Sequence, residues 1–430
     1  MLTLFPTVLA HYLLAGFFWF GVTVVLPVIL LPVGLGVVVM LLVLTAFSFS
    51  CKWYNVFTVE YLNQEIRRLE DLYIEETLKN DVTHIEKELT VSLGKGKTIS
   101  VQLHVLHSKN LREDAQSIFL VHGTAGSSLS FIHLIDVLAT SFNVYAIDLP
   151  GFGRSHVDKK YGCIANEYEN AADFYCFVIE EFMKSANISR TVLCGHSFGG
   201  YLCMRYCKLF PSRVDGLVLL NPAGILPTLG SLGVYWACVF KFSLPNIGRY
   251  LGRFGLASMA YLFRESSEAR YWYYLSAHPQ GFGDRFVRDN IDLRFFHAYW
   301  NKPVFDHFDV IGCPVFLVYG EDDTIMPPHQ GMLIRLIHSC ELMIVKNAAH
   351  NPVASKENGK LVGQELVRYF ANQNYLQNIN SSLPETETEK NKIDSISYKS
   401  SFSVTKTISV IEKLYADVGK KNGIAVDIDV

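Results

Sequence analysis

Residues 191–194 form the apolar run Thr191-Val192-Leu193-Cys194, which leads directly into Gly195-His196-Ser197-Phe198-Gly199. A strand that enters a Gly-x-Ser-x-Gly turn and leaves it as a helix admits few folds. The serine of such a turn sits on strained backbone with its hydroxyl pushed out at the carboxyl edge of a sheet, and the glycines let strand and helix pass close together. The helix expected over 200–209 aims its N-terminal amides at the same spot, where developing negative charge is favoured.

The surrounding pattern agrees with a sheet at that position. Residues 84–93 and 97–107 alternate apolar and polar side chains around Gly94-Lys95-Gly96, which predicts a β-hairpin. Apolar strands are then expected at 117–121, 143–147, 191–194, 214–220, 314–319 and 342–345. Helices are expected between them near 129–140 and 166–186, with a last one near 356–373. Alternating β and α segments with continuously apolar strands predict an α/β fold, a mostly parallel sheet covered on both faces. The alternation stops at about 222–308, where clustered aromatics (Phe240, Phe242, Tyr250, Phe254, Tyr261, Phe263 and Tyr271-Trp272-Tyr273-Tyr274) predict a helical cap. Two readings stay open for them: ordinary core aromatics, or an apolar tunnel for an acyl chain under a lid.

The two ends of the chain differ from this body. No Asp, Glu, Lys or Arg occurs in 7–50, a stretch long enough for two membrane helices of about 20 residues each. Pro27, Pro32, Gly34 and Gly36 interrupt it, so residues 1–54 read as a membrane anchor, a helical hairpin near 8–26 and 33–50, with a single tilted span as the alternative. Lys52, Arg67 and Arg68 place the body on the cytosolic side. Residues 55–83 read as an amphipathic helical linker, 84–373 as the folded domain with its cap, and 374–430 as a polar, disordered tail with a short helix near 406–417. The nine cysteines show no paired spacing and read as reduced thiols. Cys203 and Cys207, four apart on one helix, lack companions for a metal. No metal, cofactor or nucleic-acid partner is expected, the net charge being −3 with no basic stripe.

Serine is a weak nucleophile until a histidine accepts its proton and a carboxylate holds that histidine in place. In this order of elements the acid follows a late strand and the histidine follows the last one. Tyr319-Gly320-Glu321-Asp322-Asp323-Thr324-Ile325-Met326-Pro327 supplies the acid, Asp323 first and Asp322 as the alternative. Asn347-Ala348-Ala349-His350-Asn351-Pro352 supplies the base, His350. His196 is expected to turn away from the serine and pack within the elbow, and His297 and His307 of the cap are weaker candidates. The backbone N–H groups of Phe198 and of Thr124, in Val121-His122-Gly123-Thr124-Ala125-Gly126-Ser127, are the expected oxyanion donors.

Together with Asp148-Leu149-Pro150-Gly151-Phe152-Gly153-Arg154-Ser155, these residues resemble the α/β-hydrolase superfamily over about 115–370. Within it the chain is similar to ABHD-type membrane-associated serine hydrolases that act on lipids. Gly195 to Leu202 and Pro211-Ser212-Arg213-Val214 resemble the branch of phospholipid and lysophospholipid deacylases, and the apolar N-terminus resembles a monoacylglycerol lipase branch. The resemblance implies a membrane-bound esterase cleaving lipid carboxylic esters. Some members of the first branch carry His-x4-Asp, linked to acyl transfer, but Ser355 stands at that aspartate position here. Acyl transfer, a small-molecule esterase and a non-catalytic membrane scaffold or lipase co-activator remain as alternatives.

Overall fold

The computed structural model describes residues 52–94, 97–109, 114–157, 172–225, 252–278 and 311–382. The expected membrane anchor, most of the cap with His297 and His307, and the tail beyond 382 lie outside these residues. Among the described residues no helix is long and apolar enough to cross a membrane. The chain divides into two compact units, one of residues 1–69 and 238–278, the other of 70–237 and 279–430.

Helix α1 (Lys52–Thr77) belongs to both. Leu62, Ile66, Leu69 and Tyr73 are buried along it, at the three- and four-residue spacing that puts side chains on one helical face. In the first unit, α5 (Gly252–Ala260) is followed by a 3-10 turn (Tyr261–Phe263) and α6 (Ser267–Ala277). Ser266 caps α6 by accepting from the Ala269 amide at 3.0 Å. Tyr271, Tyr273 and Tyr274 are buried, and the Tyr274 hydroxyl lies 3.1 Å from that of Tyr61.

The second unit is built on a nine-stranded sheet. Its strands are β1 (Thr83–Gly94), β2 (Lys97–Ser108), β3 (Ser117–Val121), β4 (Asn143–Ile147), β5 (His156–Val157), β6 (Thr191–His196), β7 (Val214–Leu220), β8 (Val315–Gly320) and β9 (Glu341–Val345). They lie in the order β1-β2-β4-β3-β6-β7-β8-β9, with β5 paired to β2. From β4 to β9 every neighbouring pair is parallel, while β1, β4 and β5 each run antiparallel to β2. The expected α/β class and parallel sheet are therefore present, and β3, β4 and β7 have the expected bounds. β6 and β8 are buried at every position, as strands covered on both faces must be. Each fully buried aliphatic or aromatic side chain here contributes about 1.5–3 kcal/mol.

Among the described residues the unit also holds helices α2 (Ile132–Leu138), α3 (Asp173–Ser185), α4 (Phe198–Leu209), α7 (His329–Ile337) and α8 (Lys356–Ser382). The 3-10 turn before α2 begins with a capping box between Ser127 and Ser130. Helix α8 continues to Ser382, so the part of the expected tail from 374 to 382 is helical. Strands β1 and β2 pair as the expected antiparallel hairpin, its turn residues 95–96 lying outside the described residues, and a register shift between Ser92 and Gly94 pairs His84 with Leu106 and Glu86 with His104.

Candidate active site

Ser197 stands between the end of β6 at His196 and the start of α4 at Phe198, and its backbone takes φ 51°, ψ −115°. That left-handed conformation costs a serine about 1–3 kcal/mol and is held by its surroundings. The Ser197 amide donates to the Leu220 carbonyl at 3.0 Å, and its carbonyl accepts from Ala223 at 2.9 Å and from Tyr201 at 3.2 Å. Gly199 is obligatory, since a Cβ there would strike the Val121 carbonyl. Strand β3 can therefore lie against the elbow only because that position has no side chain.

His350 follows β9 in a loop that begins at Asn347, itself at φ 53°. Its Nε2 lies 2.9 Å from Ser197 Oγ, and its Nδ1 lies 2.8 Å from Asp323 Oδ2. The structure thus brings Ser197, His350 and Asp323 together as the sequence order requires. Asp322 is exposed and turns elsewhere, its amide donating to the Ala348 carbonyl at 2.9 Å. Asp323 is buried, and its Oδ1 accepts from the amides of Ile325 at 2.8 Å and Met326 at 3.0 Å. Burial alone would raise its pKa, but the His350 hydrogen bond and charge together with those amides hold it below the usual aspartate value. The carboxylate stays ionised and can fix the imidazole with Nδ1 protonated, leaving Nε2 to accept the serine proton.

Two supports were not evident from sequence. Asn221, at the end of β7 with φ 41°, donates from Nδ2 to Asp323 Oδ2. Its Oδ1 accepts from the Gly320 amide at 3.0 Å, so one buried amide side chain ties the strand end to the acid loop. The only sequence signal is a polar residue ending a strand and preceding proline. His196 corrects an expectation: its ring faces the site, and Nε2 donates to the His350 carbonyl oxygen at 2.8 Å. The two rings lie 5.0 Å apart between centroids. Burial, reinforced by the nearby His350, pulls the His196 pKa down to about 3, so it holds the base loop as a neutral donor.

The expected oxyanion loop also reaches the serine. A Cβ on Gly123 would lie 2.9 Å from Ser197 Cβ, which places Thr124 next to the residue that touches the nucleophile. Phe198 is the first residue of α4. The loop is anchored by His122, which donates from Nδ1 to the Gly123 carbonyl at 2.7 Å and accepts at Nε2 from Leu149 at 3.0 Å. Behind it Asp148 accepts from the amides of Ser128 at 2.6 Å and Arg154 at 2.9 Å, and from His104 Nδ1 at 2.8 Å. Burial pushes the Asp148 pKa up, but His104 and these donors outweigh it and hold the carboxyl well below the usual range. Glu70, buried on α1 beside His104, is pushed up by that burial to about 7.

A hydroxyl, imidazole and buried carboxylate in hydrogen-bonded sequence, set at the carboxyl edge of a parallel sheet in this strand order, define an α/β hydrolase. The chain belongs to the alpha/beta hydrolase fold family, whose pattern matches residues 116–356. A probable 1-acylglycerol-3-phosphate O-acyltransferase of rice (Oryza sativa subsp. japonica) is 38% identical over 112 residues, 26% of this chain and 26% of that protein. The bovine (Bos taurus) (lyso)-N-acylphosphatidylethanolamine lipase is 34% identical over 111 residues, 26% of this chain and 31% of that one. Abhydrolase domain-containing protein abhd-5.2 of Caenorhabditis elegans is 25% identical over 190 residues, 44% of this chain and 41% of that one. The match thus spans 26% to 41% of these relatives' own lengths. Among solved structures, a naproxen esterase from Bacillus subtilis superposes with a TM-score of 0.50 at 20% identity, covering 70% of this chain and 97% of that one, a likeness of fold. Over part of its length the chain is thereby related to proteins named as a lipase and as acyltransferases.

Proposed function

We propose that the protein is a membrane-anchored serine hydrolase that cleaves carboxylic esters of lipids, of monoacylglycerol, lysophospholipid or phospholipid type, through an acyl-enzyme. The observation that carries this reading is the continuous run from Ser197 Oγ to His350 at 2.9 Å and from His350 to Asp323 at 2.8 Å. Ser197 attacks the ester carbonyl while His350 Nε2 takes its proton. The tetrahedral oxyanion is met by the Phe198 and Thr124 amides, each such donor contributing about 3 kcal/mol to the transition state. His350 then protonates the leaving alcohol, and water, deprotonated by the same imidazole, releases the fatty acid. The charge-free run 7–50 supports an anchor that meets insoluble substrate in two dimensions, with the catalytic unit on the cytosolic face.

Transfer of the acyl group to a lysolipid is a second reading, favoured by relatives named as acyltransferases. Ser355 at the aspartate position of His-x4-Asp weighs against it. A fluorophosphonate probe on the full-length membrane protein should label Ser197 and spare Ser197→Ala. The wild type should release fatty acid from lysophospholipid or monoacylglycerol vesicles even with excess acyl acceptor present. Labelling that survives Ser197→Ala, or product found only as acylated acceptor, overturns the hydrolase reading.

A further inference from the structure

We propose that Glu70, His84 and His104 form a binding site for a divalent transition-metal ion of the zinc class, separate from the Ser197 site. Helix α1 supplies Glu70, and neighbouring strands β1 and β2 supply the two histidines. The register of the hairpin pairs Glu86 with His104, so His84, two residues along β1, lies diagonally on the same face as His104. One ligand atom from each of the three residues lies within 4.8 Å of the other two.

The separations suit an ion. His84 Nδ1 and His104 Nε2 are 2.9 Å apart, and Glu70 Oε1 lies 3.7 Å from the first and 3.8 Å from the second. Two ligands at a tetrahedral angle on zinc sit about 3.3 Å apart, a value these distances bracket. Glu70 is 1% exposed, and neither of its carboxylate oxygens has a hydrogen-bond partner, so both keep their lone pairs for a cation that comes closer than the guanidinium 3.7 Å away. Both histidines also have a carboxylate on their outer nitrogen. His104 Nδ1 donates to Asp148 at 2.8 Å, and Asp71 Oδ1 lies 3.5 Å from His84 Nε2. With a proton on each outer nitrogen, release of the proton that the two imidazoles share at 2.9 Å leaves a lone pair on each inner nitrogen, the arrangement in which imidazole binds metal with a carboxylate behind it.

Arg154 is the cation that faces this donor set. Its Nη1 lies 3.0 Å from His84 Nδ1 and 3.7 Å from Glu70 Oε1, while Nη2 donates to Glu86 at 2.6 Å. It leaves the Glu70 oxygens without a hydrogen bond, and its own Nε has no partner. Metal binding displaces Nη1 toward Glu86, which already holds the other end of the guanidinium. Arg154 is therefore a competitor built into the site, and two nitrogens and one carboxylate select zinc or cobalt over magnesium or calcium. Through His104 and Asp148 the ion would tie α1 to the hairpin and to the loop after β4.

The full-length protein in detergent, stripped with chelator and titrated with zinc and with cobalt(II), tests the site. Stoichiometric zinc, a raised thermal midpoint and visible cobalt d–d bands are expected, all three lost in Glu70→Gln and in His84→Gln. His84 has a part-exposed side chain, so its variant keeps the fold testable. Arg154→Gln should tighten zinc by about tenfold or more, since a unit charge within 4 Å is removed. The proposal is overturned if the zinc response is unchanged by His84→Gln, or if neither the wild type nor Arg154→Gln takes up more zinc than the Arg154→Gln/His84→Gln double variant. None of these readouts depends on Ser197 being a nucleophile.

Discussion

Among the described residues two aspartate–histidine pairs have the same length, and they do different things. Asp323 and His350 meet at 2.8 Å, as do Asp148 and His104. In each pair the carboxylate is buried, accepts backbone amides and is held below its ordinary pKa. The histidines part company. The His350 side chain is 25% exposed and its Nε2 faces a hydroxyl, whereas that of His104 is 1% exposed and its Nε2 faces a second imidazole and a buried glutamate. A base must return its proton to a leaving group, which requires an acceptor that can come and go. The paired carboxylate thus orients an imidazole, and what faces the other nitrogen decides between proton transfer and cohesion.

Exchanging the two histidines one at a time gives the largest contrast. His350→Gln should lower turnover of a carboxylic ester by about 10^4-fold or more while leaving the fold intact. His104→Gln should keep turnover within about tenfold but cost about 3 kcal/mol of stability, because the buried Asp148 charge loses its partner. Ester kinetics and urea unfolding of both variants measure this, and equal losses of turnover would dissolve the distinction. At the acid position, Asp323→Asn should reduce kcat by about 10^3- to 10^4-fold, and exposed Asp322→Asn by less than about twofold. Parity between those two variants would move the acid to Asp322.

The smallest effect concerns pH. His196 is held neutral, with a folded pKa of about 3 against 6.5 for an ordinary histidine. Between those values the unfolded chain binds a proton that the folded chain refuses, so stability falls as pH falls, at up to about 1.4 kcal/mol per unit. His196→Gln should remove about 2 kcal/mol of the loss between pH 7 and 5, read from denaturant midpoints at both values. An unchanged pH dependence would show that the imidazole takes a proton in the folded state.

Much of this site was legible because its signals are local. A strand, a glycine-flanked serine and a helix occupy consecutive residues, and β3, β4 and β7 are short apolar runs bounded by polar ones. Asp323 could be placed by its distance from Gly320 and Pro327. The contacts of His196 and Asn221 were not legible, since each depends on a partner more than a hundred positions away, His350 for one and Asp323 for the other. The Glu70–His84–His104 cluster was hidden for a different reason. Counting outward from a two-residue turn at Lys95-Gly96 pairs His84 with His107 and puts His104 on the opposite face. The bulge between Ser92 and Gly94 shifts the pairing by one, giving His84 with Leu106, and a shift of one exchanges the faces of a strand. No composition or periodicity signals that irregularity in advance.

The positive φ at Ser197 also restricts which side chains its position can hold. Threonine is the nearest chemical relative of serine, yet its branched Cβ fits that backbone region poorly. Cysteine and aspartate lack the branch and meet no such barrier. The reacting atom at the elbow could be sulfur or carboxylate oxygen at little conformational cost, while one added methyl group would be resisted. The turn thus selects by shape before any chemistry is tested.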